Sequence, residues 1–182
     1  VYESFTELKK RGVEPRFAKL NADGSVNVEN LLDLVDEKTS FVSVVHVNNE
    51  TGAINDVNKI AELVKQKNPS VVFHSDGVQA FGKIPFKMSD KIDLYSVSAH
   101  KIGGLKGVGG LIKKKSLMLY PLIHGGGQEN GMRSGTENVL GIIDFGFVAG
   151  SHLSRVSENF EKTAIVKGVF LDNLDKRFIK II

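Results

Sequence analysis

The sequence predicts a single α/β domain, with three layers (α/β/α) around a mostly parallel sheet. Apolar runs at 41–47, 71–76 and 93–98 have the composition of strands buried on both faces. Segments with helical spacing precede and follow the first run, and such alternation is typical of parallel strands joined by helices. No internal repeat or linker divides the chain, so residues 1–182 are expected to form one domain.

The amino-terminal part is expected to begin with a helix. The segment Val1–Arg11 has helical spacing and ends at Gly12, a common residue after a helix. Val13–Leu20 is predicted to be a strand and Asn21–Gly24 a turn. Asn27 is predicted to cap the next helix, because its side chain can accept a hydrogen bond from the first turn.

The central part is predicted to alternate strands and helices. A loop at 48–54 follows the first apolar run, and Asp56 is expected to cap the helix after it. A short segment at 77–82 follows the second run, and a further strand is predicted at Val108–Ile112, among glycines. From Thr136 onward the chain is predicted to be mostly helical, interrupted near Gly150 and ending in a possible strand at 178–182.

Composition and charge exclude several classes of function. The 24 basic and 21 acidic residues are scattered, and the run Lys113–Lys115 is interpreted as a solvated strand end, so nucleic acid is not an expected partner. No segment approaches the roughly 20 apolar residues of a membrane span. The sequence contains no cysteine, and His46, His74 and His124 are too dispersed for a metal site. The first residues do not have the apolar stretch of a signal peptide. Together with the lack of cysteine, this predicts a cytoplasmic location.

Polar residues cluster where three predicted strands end, at Asn48–Glu50, at Asp76 with Gln79, and at Ser98–Lys101. Ligands of open α/β sheets bind beyond the carboxyl ends of the strands. Each group has an ordinary explanation by itself: a loop, a capping aspartate, a surface lysine beside a structural histidine. Three polar strand ends in succession are hard to explain by packing, and they predict a ligand site.

Lys101 is the candidate for covalent attachment of a cofactor. It directly follows a buried strand and precedes a glycine-rich stretch, 103–110, that lets the backbone lie close to a ligand. Schiff-base chemistry needs a primary amine, and a carboxylate such as Asp76 can keep a pyridine nitrogen protonated. The glycine-rich stretch lacks the Gly-Lys-Ser/Thr ending of a P-loop, and no helix follows it, which excludes ATP or GTP there.

Four stretches, in order along the chain, resemble motifs of cysteine desulfurases, which belong to the class V aminotransferase group. They are His46–Gly52 (HVNNETG), His74–Gln79 (HSDGVQ), Ser98–Gly107 (SAHKIGGLKG) and Gly125–Thr136 (GGGQENGMRSGT). The resemblance covers essentially the whole chain. It implies the fold of the large domain of aspartate-aminotransferase-like pyridoxal-phosphate enzymes.

The resemblance implies a role for each matching residue around the cofactor ring. Lys101 holds pyridoxal 5'-phosphate, Asp76 pairs with the ring nitrogen, and Gln79 contacts the ring hydroxyl. Asn49 lies by the ring hydroxyl and the carboxylate of the substrate.

The cofactor phosphate has its own set of implied ligands. Ser98 and His100 bind it within one subunit, and Thr136 reaches the cofactor of the neighbouring subunit. The resemblance therefore implies a homodimer with its sites at the interface.

The implied reaction converts L-cysteine to L-alanine. The substrate displaces Lys101 from the cofactor aldehyde, and the freed amine moves the α-proton. A protein cysteine then attacks the substrate sulfur and becomes a persulfide. In the complete enzyme the sulfur would pass to an acceptor or scaffold protein, for iron–sulfur cluster or thio-cofactor synthesis.

Several parts of the family pattern have no match in this sequence, among them the cysteine loop and the arginine of the small domain. Residues 1–182 are therefore expected to be an incomplete large domain that is inactive by itself. Two alternatives stay open: another class V activity such as selenocysteine lyase, or a non-catalytic dimerisation or binding module. Gly77 and Leu105 stand where the family often has alanine and proline. Neither position supplies a side chain to the chemistry, so both departures are expected to be neutral in that respect.

Overall fold

A computed structural model describes residues 1–174 and places four strands in one sheet, in the order β1-β2-β3-β4. The strands are β1 (Phe41–Val45), β2 (Val72–Asp76), β3 (Leu94–Ser98) and β4 (Gly109–Lys113). β1, β2 and β3 are parallel, and β4 is antiparallel to β3. The predicted α/β fold with a mostly parallel sheet is confirmed. β4 runs antiparallel because the segment 99–108 is shorter than the dozen or so residues of a parallel crossover.

Five helices accompany the sheet within the described residues: α1 (Tyr2–Lys9), α2 (Val28–Leu34), α3 (Val57–Lys67), α4 (Val139–Leu153) and α5 (Val156–Asp172). Both predicted caps are confirmed, since Asn27 accepts a hydrogen bond from the backbone of Asn30 and Asp56 accepts one from Lys59. These bonds satisfy amide groups that have no partner in the first turn of a helix.

One prediction about local structure is wrong, and it concerns Val13–Leu20. Val13–Leu20 is not a strand, and only its last residue forms an isolated bridge, to Val26. Pro15 lacks a backbone N–H, and the backbone of Lys19 bonds to the side chain of Asn30 rather than to a neighbouring strand. The break in the carboxyl-terminal helices lies at Ser154 and Arg155, after Gly150. The strand predicted at 178–182 lies outside the described residues.

One face of the sheet carries the hydrophobic core. Alternate residues of the strands point to this face, because side chains along a strand alternate sides. The residues buried there, together with those of α2 and α3, are Leu31, Val35, Val42, Val44, Val57, Ile60, Ala61, Val64, Phe73, Tyr95 and Val97. Phe145 of α4 packs against the same core. The helices thus hold β1, β2 and β3 in fixed register, and the carboxyl ends of these strands meet at one edge.

The opposite face of the sheet is polar and half-buried. Ser43, His74 and Ser96 lie side by side on β1, β2 and β3, and His74 bonds to both hydroxyls at 2.7 and 2.9 Å. Phe41 stacks on His74, and Phe5 of α1 contacts Phe41, with ring centroids 6.0 Å apart in each pair. Burial of its imidazole lowers the pKa of His74. This face therefore keeps a neutral histidine paired on both ring nitrogens.

A buried carboxylate joins the start of β3 to its neighbours. Asp93, whose side chain is 9% exposed, lies 2.5 Å from the ammonium of Lys65 and 2.8 Å from that of Lys114. The backbone N–H of Phe73 donates to the same carboxylate. Burial by itself would raise the pKa of Asp93, but the hydrogen bonds from Lys114 and Lys65 lower it below its ordinary value.

The two carboxyl-terminal helices expose much apolar surface. Leu140 and Phe147 of α4 are each 78% exposed, and α5 buries no residue. No single helix of residues 1–174 is long and apolar enough to span a membrane. α4 and α5, which meet at 66°, meet the length and composition test for a span only when they are taken together.

Gly77 follows β2 directly, and its missing side chain is required by packing. A Cβ added there would overlap the ring of Tyr95, which is buried at 2% exposure. Gly77 therefore has a role in packing, and its neutrality for the chemistry stays a prediction. The sequence motif alone does not reveal the packing role, because the obstructing ring comes from β3.

We expect Gly77→Ala to lower the free energy of unfolding by about 2 kcal/mol, since overpacking a filled site forces side chains and backbone to move. Urea unfolding of the wild type and the variant measures this loss. In a Tyr95→Leu background the same glycine substitution should cost much less. An equal loss in both backgrounds would contradict the assignment of the clash to the Tyr95 ring.

Candidate functional site

The register of the sheet brings the predicted site residues to one edge. Asp76, the last residue of β2, pairs with Val45 of β1 on one side and with Ser96 of β3 on the other. Neighbouring strands lie about 4.8 Å apart. Ser98 lies two residues beyond Ser96, and therefore on the same face of the sheet as Asp76. The predicted convergence is present for the ends of β2 and β3, which carry Asp76 and Ser98.

Asp76 is half-buried at this edge. Its Oδ1 accepts a hydrogen bond from the backbone N–H of Val78 at 3.1 Å, so the carboxylate does cap the turn that follows β2. No donor within residues 1–174 bonds to its other oxygen, Oδ2. Capping thus engages Oδ1 of Asp76. The second oxygen, Oδ2, can accept a hydrogen bond from an N–H group of a ligand.

Lys101 lies on the 3-10 turn Ala99–Ile102, which continues β3. The turn ends at Gly103, whose φ of 84° is in the left-handed region that glycine adopts without strain. The Lys101 side chain is half-buried, and in the described part of the chain no carboxylate pairs with its ammonium. An amine held near the strand ends without a fixed partner is suited to bond formation with a ligand.

Ser98 and His100 form a pair beside Lys101. Ser98 Oγ lies 2.8 Å from His100 Nδ1, and the His100 ring is exposed. When the hydroxyl donates to Nδ1, the imidazole proton is on Nε2, which is then a donor for an anion. The pair therefore offers donors of the kind that bind phosphate.

Gln79 lies on the turn after β2, and its amide is held by Lys83, a residue that the sequence analysis missed. Lys83 Nζ donates to Gln79 Oε1 at 2.8 Å. Burial and the nearby Lys101 ammonium lower the pKa of Lys83. The spacing of four residues between a glutamine and a lysine was a signal that could have identified the pair.

His46 and Tyr95 lie beneath the strand ends, and the sequence analysis gave neither a role there. His46 Nδ1 lies 2.8 Å from the Tyr95 hydroxyl, and both side chains are buried. Burial lowers the pKa of His46 and, with a contribution from Asp76, raises that of Tyr95. Both groups are therefore neutral at pH 7 and form a fixed, uncharged support below Asp76 and Gly77.

Asn49 is not brought into contact with the other site residues. It is exposed on the loop after β1, whereas Asn48 holds that loop by accepting hydrogen bonds from the backbone of Glu50 and Thr51 at 2.8 and 2.9 Å. The role predicted for Asn49 stays a prediction.

Thr136 is exposed on the loop before α4. The preceding Ser134 is buried and donates to the carbonyl of Gly126 at 2.8 Å. Glu129 and Asn130 both have left-handed backbone, with φ of 51° and 54°. Within the described residues Thr136 makes no hydrogen bond to the strand ends, and its predicted contact across a subunit interface stays a prediction.

The grouped side chains fit pyridoxal phosphate in their chemistry. The edge offers a primary amine on Lys101, a carboxylate oxygen on Asp76 without a bonded donor, an amide on Gln79, and the Ser98–His100 pair. These groups match the needs of an aldehyde, a protonated ring nitrogen, a ring oxygen and a phosphate, in that order.

Comparison with known proteins gives consistent matches. A sequence model of the family "Aminotransferase class-V" matches residues 3–162. The chain is 38% identical over 175 residues to cysteine desulfurase IscS of Clostridium botulinum (strain Hall). The aligned residues make up 96% of this chain and 44% of that protein. The chain therefore spans less than half the length of this curated relative.

Solved structures agree with this match. A NifS-like protein superposes with a TM-score of 0.87 at 39% identity, covering 93% of this chain and 48% of that one. SspA in complex with cysteine superposes with a TM-score of 0.77 at 31% identity, covering 82% of this chain and 44% of that one. The fold around the strand ends is thus the fold of these proteins.

Proposed function

This chain belongs to the aminotransferase class V family, and we propose that it is the cofactor-binding part of a pyridoxal-phosphate-dependent cysteine desulfurase. The observation that carries the proposal is the convergence of Lys101, Asp76 and Gln79 on one sheet edge. A binding module without chemistry has no need of an unpaired amine and a half-buried carboxylate in adjacent strand-end segments. Residues 1–182 belong, in this proposal, to the large domain.

Each residue of the strand ends has a defined task toward the cofactor. Lys101 supplies the Nζ that attaches it, Asp76 keeps its ring nitrogen protonated, and Gln79 donates to its ring oxygen. Ser98 and His100 hold its phosphate from the same chain. When bound, pyridoxal phosphate supplies the electron sink for bonds broken next to the amino group of the substrate.

The proposed residues also move protons and orient the substrate. Once released, Lys101 Nζ accepts the α-proton of the amino acid and can return it to a carbon of the product. Asn49 is proposed to meet the substrate carboxylate, and Thr136 to bind the phosphate held by a partner subunit. The working unit is then a homodimer in the cytoplasm, and it acts with neither nucleic acid nor membrane.

L-cysteine is the proposed substrate, and the similar SspA was solved with cysteine bound. The carbon–sulfur bond breaks as a thiolate attacks the substrate sulfur, so that the thiol becomes a persulfide and the carbon skeleton leaves as alanine. None of the 182 residues is a cysteine, so the accepting thiol must come from outside these residues. We propose that the sulfur then goes to an acceptor or scaffold protein for iron–sulfur cluster or thio-cofactor synthesis.

The proposal is tested by titrating the chain with pyridoxal phosphate and recording its visible absorption. The wild type should show a saturable band, and Asp76→Asn should bind roughly tenfold or more weakly, since one charge-assisted hydrogen bond is lost. Asp90→Asn, at a side chain 83% exposed, is the matched control and should leave binding unchanged. A folded wild-type chain without a saturable band, or an Asp76→Asn variant of full affinity, would sink the proposal.

A further inference from the structure

Lys83 is a charged side chain beside the cofactor site to which no role has yet been given. Its Nζ lies 2.8 Å from Gln79 Oε1. The turn after β2 sets this spacing, because the N–H groups of Ala80 and Phe81 both bond to the carbonyl of Gly77, at 2.9 and 2.8 Å. The backbone thus winds through one turn and places residues four apart on one side.

The bond from Lys83 determines which way the Gln79 amide faces. An ammonium has three donors and no acceptor, so the atom that meets it must be the amide oxygen. The amide nitrogen, Nε2, then points away from Lys83 and can only donate. Gln79 is half-buried, and among the described residues Lys83 alone bonds to its side chain. An oxygen acceptor on a ligand is the matching partner for Nε2.

Lys83 also brings charge to the site. Its side chain is exposed, which favours the ammonium form, although partial burial and the neighbouring Lys101 lower its pKa somewhat. A positive group one hydrogen bond behind an amide polarises it and strengthens its N–H donor. The arrangement therefore favours an anionic oxygen over a neutral one opposite Gln79.

We propose that Lys83 is a positioning residue for the cofactor: it fixes the Gln79 amide so that Nε2 donates to the ring oxygen in its anionic form. This inference rests on the proposed function, and it assigns a task to a lysine that never touches the cofactor. Its hydrogen bond acts on the ligand through Gln79.

A double-mutant cycle on the 182-residue chain tests the proposal, with pyridoxal phosphate as the probe. Lys83→Met should weaken cofactor binding roughly three- to tenfold, as expected for one hydrogen bond, and should shift the pH midpoint of the visible band. Lys83→Arg, which keeps a cationic donor, should restore affinity to within about twofold. In a Gln79→Ala background Lys83→Met should no longer change the affinity, because the group to which Lys83 donates its hydrogen bond is gone.

The outcomes separate this inference from the proposed function. Lys87→Met, at an exposed lysine four residues farther along, controls for a general loss of charge. A wild type that binds cofactor, with a Lys83→Met variant of unchanged affinity and midpoint, overturns the role of Lys83 only. Equal losses from Lys83→Met with and without Gln79 overturn it as well. A folded wild type that binds no cofactor overturns the proposed function and this inference together.

Discussion

Lys101→Ala is expected to abolish the visible band that pyridoxal phosphate forms with the chain. Only a primary amine forms the covalent bond to the cofactor aldehyde, and the turn that continues β3 places the amine of Lys101 at the sheet edge where Asp76 ends β2. Absorption spectra and cofactor titrations of the purified variant measure this loss. Residual binding through the phosphate and ring contacts should be noncovalent and removable by dialysis.

Lys101→Arg separates the covalent role of this residue from its charge. The guanidinium keeps the positive charge but does not act as the amine, so the band should be lost in this variant too. Lys106→Ala is the matched control, since Lys106 is an exposed lysine on the same loop and its variant should keep the full band. A Lys101→Ala chain that keeps a dialysis-resistant band would place the attachment site elsewhere.

Asp93→Ala is expected to cause the largest loss of stability, about 3 kcal/mol or more in the free energy of unfolding. The substitution leaves the ammonium groups of Lys65 and Lys114 and the N–H of Phe73 without the carboxylate that joins them. Groups buried without a partner lose their solvation without compensation. Urea unfolding of the wild type and the variant measures the loss.

The stability of the folded chain is expected to depend on pH through the Asp93 carboxylate. The pKa of Asp93 is lower in the folded chain than its ordinary value of 3.8, so the folded state binds this proton less readily than the unfolded state does. Its contribution is present above pH 3.8 and is lost as the pH falls through the folded pKa. Asp93→Asn should therefore weaken the decline of stability in acid.

Asp90→Ala, at an exposed ion pair, is the control for Asp93→Ala and should change the free energy of unfolding by no more than about 0.5 kcal/mol. An equal effect of Asp90→Ala and Asp93→Ala would contradict this account.

Much of the site could be predicted from the sequence because its residues follow apolar runs whose ends are sharp. Asp76 and Ser98 end such runs, and parallel pairing places those ends at one edge without further information. The caps at Asn27 and Asp56 were predictable for a similar reason, since each is a local interaction within one helical turn. Both caps are formed between residues that are neighbours along the chain.

The features that the sequence did not reveal depend on contacts between residues that are distant along the chain. The packing role of Gly77 was not predicted, because the ring that forbids a side chain there belongs to Tyr95, which is distant in sequence. Val13–Leu20 has residues that favour a strand, but the structure provides no neighbouring strand for it to pair with. Lys83 carried a usable spacing signal, and its importance emerges only with the position of Gln79 beside Lys101. Each of these facts depends on contacts that a local pattern does not contain.

The central claim is that the cofactor is attached at Lys101, and site mapping tests it most directly. The chain is saturated with pyridoxal phosphate, reduced with borohydride to make the attachment permanent, digested, and analysed by peptide mass spectrometry. The account predicts one dominant adduct on the peptide that contains Lys101. An adduct on Lys83 or Lys106 instead, or labelling spread over many exposed lysines, would contradict it.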